Sequence, residues 1–321
     1  MRHARKFAAV ALATLTVSLA QERREFVEPH MGTLFRLVVY SQAPADSAAR
    51  AAFDRIAELD RTFSDYNEAS ELSRLCRQPA GAPLPVSADL FAILQISQDL
   101  AAKTHGAFDV TLGPLTRLWR ESRRARALPT ADALASARRA AGFAHLHLDP
   151  ARQTATLLRP GMALDLGGIA KGYAADAALN RLTQLGFPAA MVSASGDLAL
   201  GDPPPGKRGW TIELAPFGDA TATRTTLVLV HAAVSTSGDA EQFVEIGGVR
   251  FSHIIDPATG LGLTQSVAVT VVARRATVAD ALATACSVLD PVAAQRLTDA
   301  SPEPVRLIVH RRDPVALLTS P

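Results

Sequence analysis

Residues 163–186 restrict the architecture more than any other stretch. Ala163-Leu164-Asp165-Leu166 is a short apolar run with an acid set in it, and Gly167-Gly168 cuts it off. A helical pattern starts at about Ala170 and runs to Leu185, where Gly186 closes it. The centre of the chain repeats this theme of strand, glycine turn and helix. Ala190-Met191-Val192-Ser193 reads as a strand ending in Ser195-Gly196-Asp197, and Thr236-Ser237-Gly238-Asp239 as a further turn. Strands and helices alternate without a strict βαβ rhythm, which predicts an α+β fold with mixed, largely antiparallel sheets and packed helices.

The flanking sequence fits that class. A strand is expected from Met31 to Tyr40, entered through Gly32, then a helix from about Pro44 with Phe53, Ile56, Leu59 and Phe63 on one face. Ser70 to Leu75 reads as a short helix, residues 77–86 as a loop, and Ser87 with Asp89 starts a helix through about Lys103. Residues 104–114 are turn-rich; Thr130 caps a helix that Gly142 stops. His145–Asp149 and Thr154–Leu158 form a hairpin across Asp149-Pro150-Ala151-Arg152. A surface loop at 202–209 precedes strands at about 210–214, 225–231, 249–255 and 265–273, a helix from Ala276 to Leu289, and a last strand at 305–309. No composition break divides residues 21–321, so they are read as a single globular unit.

With 321 residues, 48% of them apolar and 20% charged, the chain has the make-up of a globular protein with a sizeable core. A formal charge of only +2 gives no argument for a nucleic-acid partner. Arg117, Arg120, Arg123, Arg124 and Arg126 form one basic cluster, read as a solvated helix face or loop. Met1 to Lys6 is a basic n-region, Phe7 to Leu19 an apolar h-region, and Ser18-Leu19-Ala20 a small-residue cleavage site. Residues 1–20 are therefore expected to be a cleaved signal peptide with no lipobox cysteine beside the cut, and the mature protein a soluble periplasmic one. Membrane association would come only through partners or an uncleaved signal. Cys76 and Cys286 admit either one disulfide or two unrelated buried thiols.

Three segments carry candidate chemistry. In Arg250 to Gly260 an apolar run ends in Asp256-Pro257-Ala258-Thr259-Gly260, so a strand delivers His253 to a tight turn; an imidazole there serves as a base near neutral pH or as a hydrogen-bonded structural group. Asp280 and Thr284 lie four apart on one helix face. They suit a hard cation such as Mg²⁺, or else Thr277 to Asp280 is a capping box. Asp165 to Lys171 places backbone groups and an ammonium at a helix N-terminus, where phosphate is favoured; a plain strand–helix turn is the other reading. The spacing matches neither a Walker A loop nor a dinucleotide fingerprint.

Together these segments resemble the ApbE family of FAD:protein FMN transferases. The resemblance rests on Met31-Gly32-Thr33; Phe63 to Asn67 with Ser70-Glu71-Leu72; Gly106 to Thr111 with Pro114-Leu115; Asp165 to Tyr173 with Asp176; Ser252 to Gly260; and Ala279 to Ala285. It implies an ApbE-like, T-fold-related unit. It implies that Met31 and Tyr66 hold the rings of FAD, that Ala107, Phe108, Asp109 and Asp165 line the nucleotide pocket, and that Lys171 and Ile254 contact the phosphates or ribityl chain. Asp280, Thr284 and the Gly168 carbonyl would hold Mg²⁺, and His253 would be the base. The implied reaction moves the FMN part of FAD to a threonine of an acceptor flavoprotein and releases AMP. Acceptors would belong to membrane redox complexes or periplasmic reductases. A metal-dependent FAD pyrophosphatase and an exported FAD-binding protein are the alternatives. Two departures stand out: Ser193-Ala194-Ser195-Gly196-Asp197 replaces the family's frequent Asn-x-Gly-Gly-Asp, and Gly168 replaces a usual Ala, Ser or Thr.

Overall fold

The computed structural model describes residues 21–215, 217, 224–238 and 242–311; the expected signal peptide at 1–20 lies outside them. The chain opens with a hairpin, β1 (Glu22–His30) and β2 (Thr33–Ser41), followed by α1 (Asp46–Phe63) and α2 (Glu71–Cys76). Next come β3 (Leu84–Pro85), α3 (Ala88–Lys103), α4 (Gly113–Ala125) and α5 (Ala131–Arg139), then β4 (Leu146–Asp149) and β5 (Thr154–Leu157). The central helix α6 (Ala170–Gln184) leads into β6 (Ala190–Ala194) and β7 (Asp197–Leu200). Strands β8 (Trp210–Leu214), β9 (Thr225–Leu229), β10 (Ala232–Gly238), β11 (Phe243–Ile246), β12 (Val249–Ser252) and β13 (Val267–Ala273) follow, and α7 (Ala276–Val288), α8 (Pro291–Asp299) and β14 (Arg306–Arg311) finish the fold.

Seven strands form one antiparallel sheet in the order β1-β2-β6-β7-β10-β13-β14. The α+β expectation therefore holds. Alternation along the strands separates two layers of core. From β2, Phe35, Leu37 and Val39 join Val267, Val269 and Val271 of β13 under α1, α3, α6 and α7. On the opposite face Val38 and Val234 pack beneath the β8–β9 hairpin through Trp210, Ile212, Leu214 and Leu227. A third cluster joins Leu115 and Trp119 of α4 to Phe251 and Ile255 around β12, and the Trp119 Nε1–H donates to the Ser252 carbonyl at 3.0 Å. That last contact fixes α4 against the segment that carries His253.

Several expectations change in three dimensions. Strand β1 pairs residue for residue with β2 from Glu22↔Ser41 to His30↔Thr33, although its charged sequence hides its period. Residues 163–166 are extended but bridge only Leu112, with the Asp165 N–H donating to the Val110 carbonyl at 2.8 Å. The turn expected at 236–238 is instead the end of β10, paired with β13 through Gly238↔Ala268; Asp239 lies outside the described residues. A Cβ at Gly238 would stand 2.8 Å from the Val267 carbonyl oxygen, so glycine here serves close strand approach rather than a turn. Of the basic cluster, Arg117, Arg120, Arg123 and Arg124 lie on helix α4, and Arg126 is its left-handed C-cap. Cys76 and Cys286 are both free thiols, and the Cys76 sulfur accepts the Leu164 N–H at 3.2 Å. Among the described residues no helix is long and apolar enough to cross a membrane.

Candidate active site

A cleft of about 770 Å³ opens where α6 and α7 meet the sheet, and α4 with the end of β12 forms its other side. Its inner wall is built on a close helix crossing. A Cβ on Gly172 would fall 2.2 Å from the Ala276 carbonyl oxygen, so only glycine lets α6 and α7 approach this far. The contact lets the Gly172 N–H donate to Asp280 Oδ2 at 3.0 Å. Lys171 lies beside it, its Nζ 3.0 Å from Asp197 Oδ2 and 3.7 Å from Asp280 Oδ2. The Ser235 hydroxyl holds the second Asp197 oxygen at 2.5 Å.

Thr277 does not cap its own helix. Asp176 of α6 accepts the Ala276 N–H at 2.8 Å, the Thr277 N–H at 2.9 Å and the Thr277 hydroxyl at 2.6 Å. The capping-box reading therefore fails: the cap comes from α6, and Asp280 faces the cleft wall instead of the α7 N-terminus. Asp176 fixes the register of α7 on α6, and with it where Asp280 and Thr284 stand.

This wall is charged, and its carboxylates are buried. Asp280 is 2% exposed and Asp197 3%. Burial, with Asp197 beside it, raises the Asp280 carboxyl above the usual range against the pull of Lys171. Burial also opposes the Lys171 ammonium, yet the two carboxylates overcome it and hold its pKa above the ordinary lysine value. Two carboxylates face one ammonium, which leaves an excess of negative charge in a buried place.

The outer wall has a different character. Arg120 of α4 is ion-paired with Asp65 and with Asp165, the latter at 3.0 Å, and its guanidinium lies 4.5 Å from the centre of the Tyr66 ring. Burial, reinforced by Asp165, raises Asp65 against the opposing effect of Arg120. Tyr66 is 76% exposed, an unusual position for a large ring unless something stacks on it. The Gly167 N–H donates to Asp165 Oδ1 at 2.7 Å and so orients that carboxylate. His253 follows β12 directly, with its N–H 3.0 Å and its Nδ1 3.3 Å from the Gln242 carbonyl. A carbonyl only accepts, so this contact favours the proton on Nδ1 and leaves the lone pair on Nε2.

Of the residues singled out in the sequence, Tyr66, Ala107, Phe108, Asp109, Asp165, Gly168, Lys171, His253, Ile254, Asp280 and Thr284 all line this cleft. Met31 does not. It sits in the β1–β2 turn at φ 49°, with its N–H donating to Asp60 Oδ2 at 2.9 Å. Asp109 lines the cleft, but its Oδ1 accepts from the Thr111 N–H and hydroxyl, both at 2.7 Å, and its Oδ2 from the Phe143 N–H at 2.9 Å. Its carboxylate shapes the loop that presents Phe108. Sequence reasoning passed over Arg120 and treated Asp197 as one more Gly-Asp turn. The helical spacing of Thr116, Trp119, Arg120 and Arg123 was the available signal, since all four line the cleft.

The implied Mg²⁺ can be tested against these residues. Thr284 Oγ1 lies 3.5 Å from the Gly168 carbonyl oxygen and 3.4 Å from Ser237 Oγ, long contacts that leave a loose group of oxygens beside Asp280. Hard oxygen donors next to uncompensated buried negative charge suit Mg²⁺. Among the described residues no three His, Cys, Asp or Glu converge on a metal position, so an ion here would need a hydroxyl and a carbonyl to join one carboxylate. The residues fit the ion.

Known proteins are similar to this chain over most of its length. Residues 31–309 match the model of the ApbE family. An FAD:protein FMN transferase of Treponema pallidum is 35% identical over 277 residues, 81% of this chain and 76% of the relative. One from Vibrio cholerae is 33% identical over 316 residues, 95% of this chain and 94% of the relative. The crystal structure of the apo flavinyl transferase ApbE of Pseudomonas stutzeri superposes with a TM-score of 0.79 at 28% identity, covering 92% of this chain and 96% of that one.

Proposed function

The chain belongs to the ApbE family, and on that premise we propose that it is an FAD:protein FMN transferase that depends on Mg²⁺, modifies a threonine and releases AMP. One observation carries the reading: the buried Asp280–Lys171–Asp197 cluster and the half-exposed His253 line the same cleft. A phosphate-handling wall then faces a proton-accepting one.

FAD is the substrate. Tyr66, backed by Arg120, offers one ring face to an aromatic ring of FAD, and Phe108 lies in the same cleft. Lys171 brings positive charge to the pyrophosphate from the N-terminal turn of α6. When bound by Asp280, Thr284 and the Gly168 carbonyl, Mg²⁺ offsets phosphate charge and stabilises the AMP leaving group. His253 Nε2 accepts the proton of the threonine hydroxyl. The threonine oxygen bonds to the FMN phosphorus as the bond from that phosphorus to the AMP oxygen breaks. The products are a phosphodiester-linked FMN and AMP. An exported, periplasmic location follows from the sequence of residues 1–20 and suits acceptors in membrane redox complexes or periplasmic reductases.

The test mixes the mature protein with FAD, Mg²⁺ and a threonine-bearing acceptor domain, then reads the acceptor's intact mass and the free AMP. A gain of one FMN unit that EDTA abolishes supports the reading. Free FMN and AMP with no mass gain would replace it with a pyrophosphatase, and bound, intact FAD with a binding protein.

A further inference from the structure

Helix α4 has two working faces. Thr116, Trp119, Arg120 and Arg123 turn to the cleft. Pro114, Arg117, Leu118 and Glu121, at the same three- and four-residue spacing, line a separate groove of about 630 Å³ that α5 and residues 159–161 complete. Arg139 and Arg159 join Arg117 there, and the Arg159 guanidinium donates to the Arg139 carbonyl at 3.4 Å. All three arginines are exposed, and among the described residues none is ion-paired. Glu121 is the one acid in the lining.

The charge around the groove is concentrated. Residues 113–161 hold nine arginines against three carboxylates, a net +6 in a chain whose formal charge is +2. Arg120 and Arg152 are engaged by Asp65, Asp165 and Asp149. The arginines of the groove have no such acids, and a guanidinium takes carboxylates in a bidentate grip. The cationic groups converge inside a concavity, a shape that receives a chain segment rather than a flat surface.

We propose that this groove docks an acidic segment of the acceptor protein, close to the threonine that enters the cleft on the other side of α4. The proposal rests on the reading that the cleft transfers a group to a protein. Such a protein must be held beside the reacting atoms, and the helix that walls the cleft also walls the groove. Electrostatic docking of this kind acts on acceptor encounter and leaves FAD handling untouched.

The test uses the full chain, wild type and Arg117→Glu/Arg139→Glu/Arg159→Glu, with the triple Arg→Lys variant as charge-retaining control. Circular dichroism verifies that each is folded. At saturating FAD the reversal should raise the acceptor KM about tenfold or more and flatten its salt dependence, with the KM for FAD and the rate at saturating acceptor unchanged. In parallel, a labelled poly-glutamate peptide should bind the wild type and the lysine variant but not the reversal. Unchanged acceptor KM and unchanged peptide binding would overturn the proposal. So would loss of binding to vesicles of equimolar phosphatidylglycerol and phosphatidylcholine in place of the peptide, which would make this a membrane-facing surface. Peptide binding that the reversal removes, with no adduct formed even by the wild type, would overturn the transferase reading instead, leaving an anion groove without an acceptor role.

Discussion

The two walls of the cleft are built in opposite ways. The inner wall is buried and over-connected: α6 and α7 touch through Gly172, Asp176 caps α7 with three hydrogen bonds, and Asp280 and Asp197 share Lys171. The outer wall is half open, with Tyr66 76% exposed and His253 resting on the Gln242 carbonyl just past the end of β12. The difference follows from what each wall must handle. Carboxylates that hold a cation for a pyrophosphate act most strongly in a buried, rigid place, whereas a group that meets a protein acceptor has to stay reachable.

The largest break in this comparison should come from Asp280→Ala. Removing the only carboxylate of the proposed cation site should lower transfer by several kcal/mol of transition-state stabilisation, about 10³-fold or more. Steady-state AMP release at saturating FAD, with circular dichroism to verify folding, measures it. Unchanged turnover would mean that the metal lies elsewhere. Asp176→Ala should act on stability first. Loss of a three-bond cap costs about 1–2 kcal/mol, read as a lower Tm, with a weaker metal dependence as α7 loses its register. An unchanged Tm would show that α7 is held by packing alone. Arg120→Met, the smallest effect, keeps the bulk behind Tyr66 but removes the cation. The KM for FAD should rise about two- to fivefold, in line with roughly 0.5–1 kcal/mol for an exposed cation–π contact, with kcat nearly unchanged. A kcat loss larger than the KM change would give Arg120 a role in the chemistry.

What was legible in the sequence follows the same division. Inner-wall residues sit in regular elements with strong local signals: α6 between Gly168 and Gly186, and Asp280 with Thr284 one turn apart on α7. The central sheet was legible wherever the strand is a nearly continuous apolar run, as in β2 and β13, which are buried on both faces. It was not legible in β1, where charges occupy the exposed edge, nor at Ser237-Gly238, where pairing with β13 overrides a turn-like sequence. The outer wall depends on long-range pairs that no local pattern reveals. Arg120 reads as one arginine among five until Asp65 and Asp165, 55 and 45 residues away, close on it. Asp197 likewise gains its meaning only from Lys171 and Ser235 across the sheet. Met31 was placed with FAD by resemblance, and the β1–β2 turn puts it outside the cleft lining.

The division of labour between the walls is tested most directly at His253. FAD affinity, read by flavin fluorescence, and single-turnover transfer to the acceptor would be measured on the same samples of wild type and His253→Ala. If the outer wall supplies the proton acceptor and the inner wall holds the substrate, FAD affinity stays within about threefold while transfer falls about 10²-fold or more. Transfer that survives the substitution, or FAD binding that falls in step with it, would contradict that assignment.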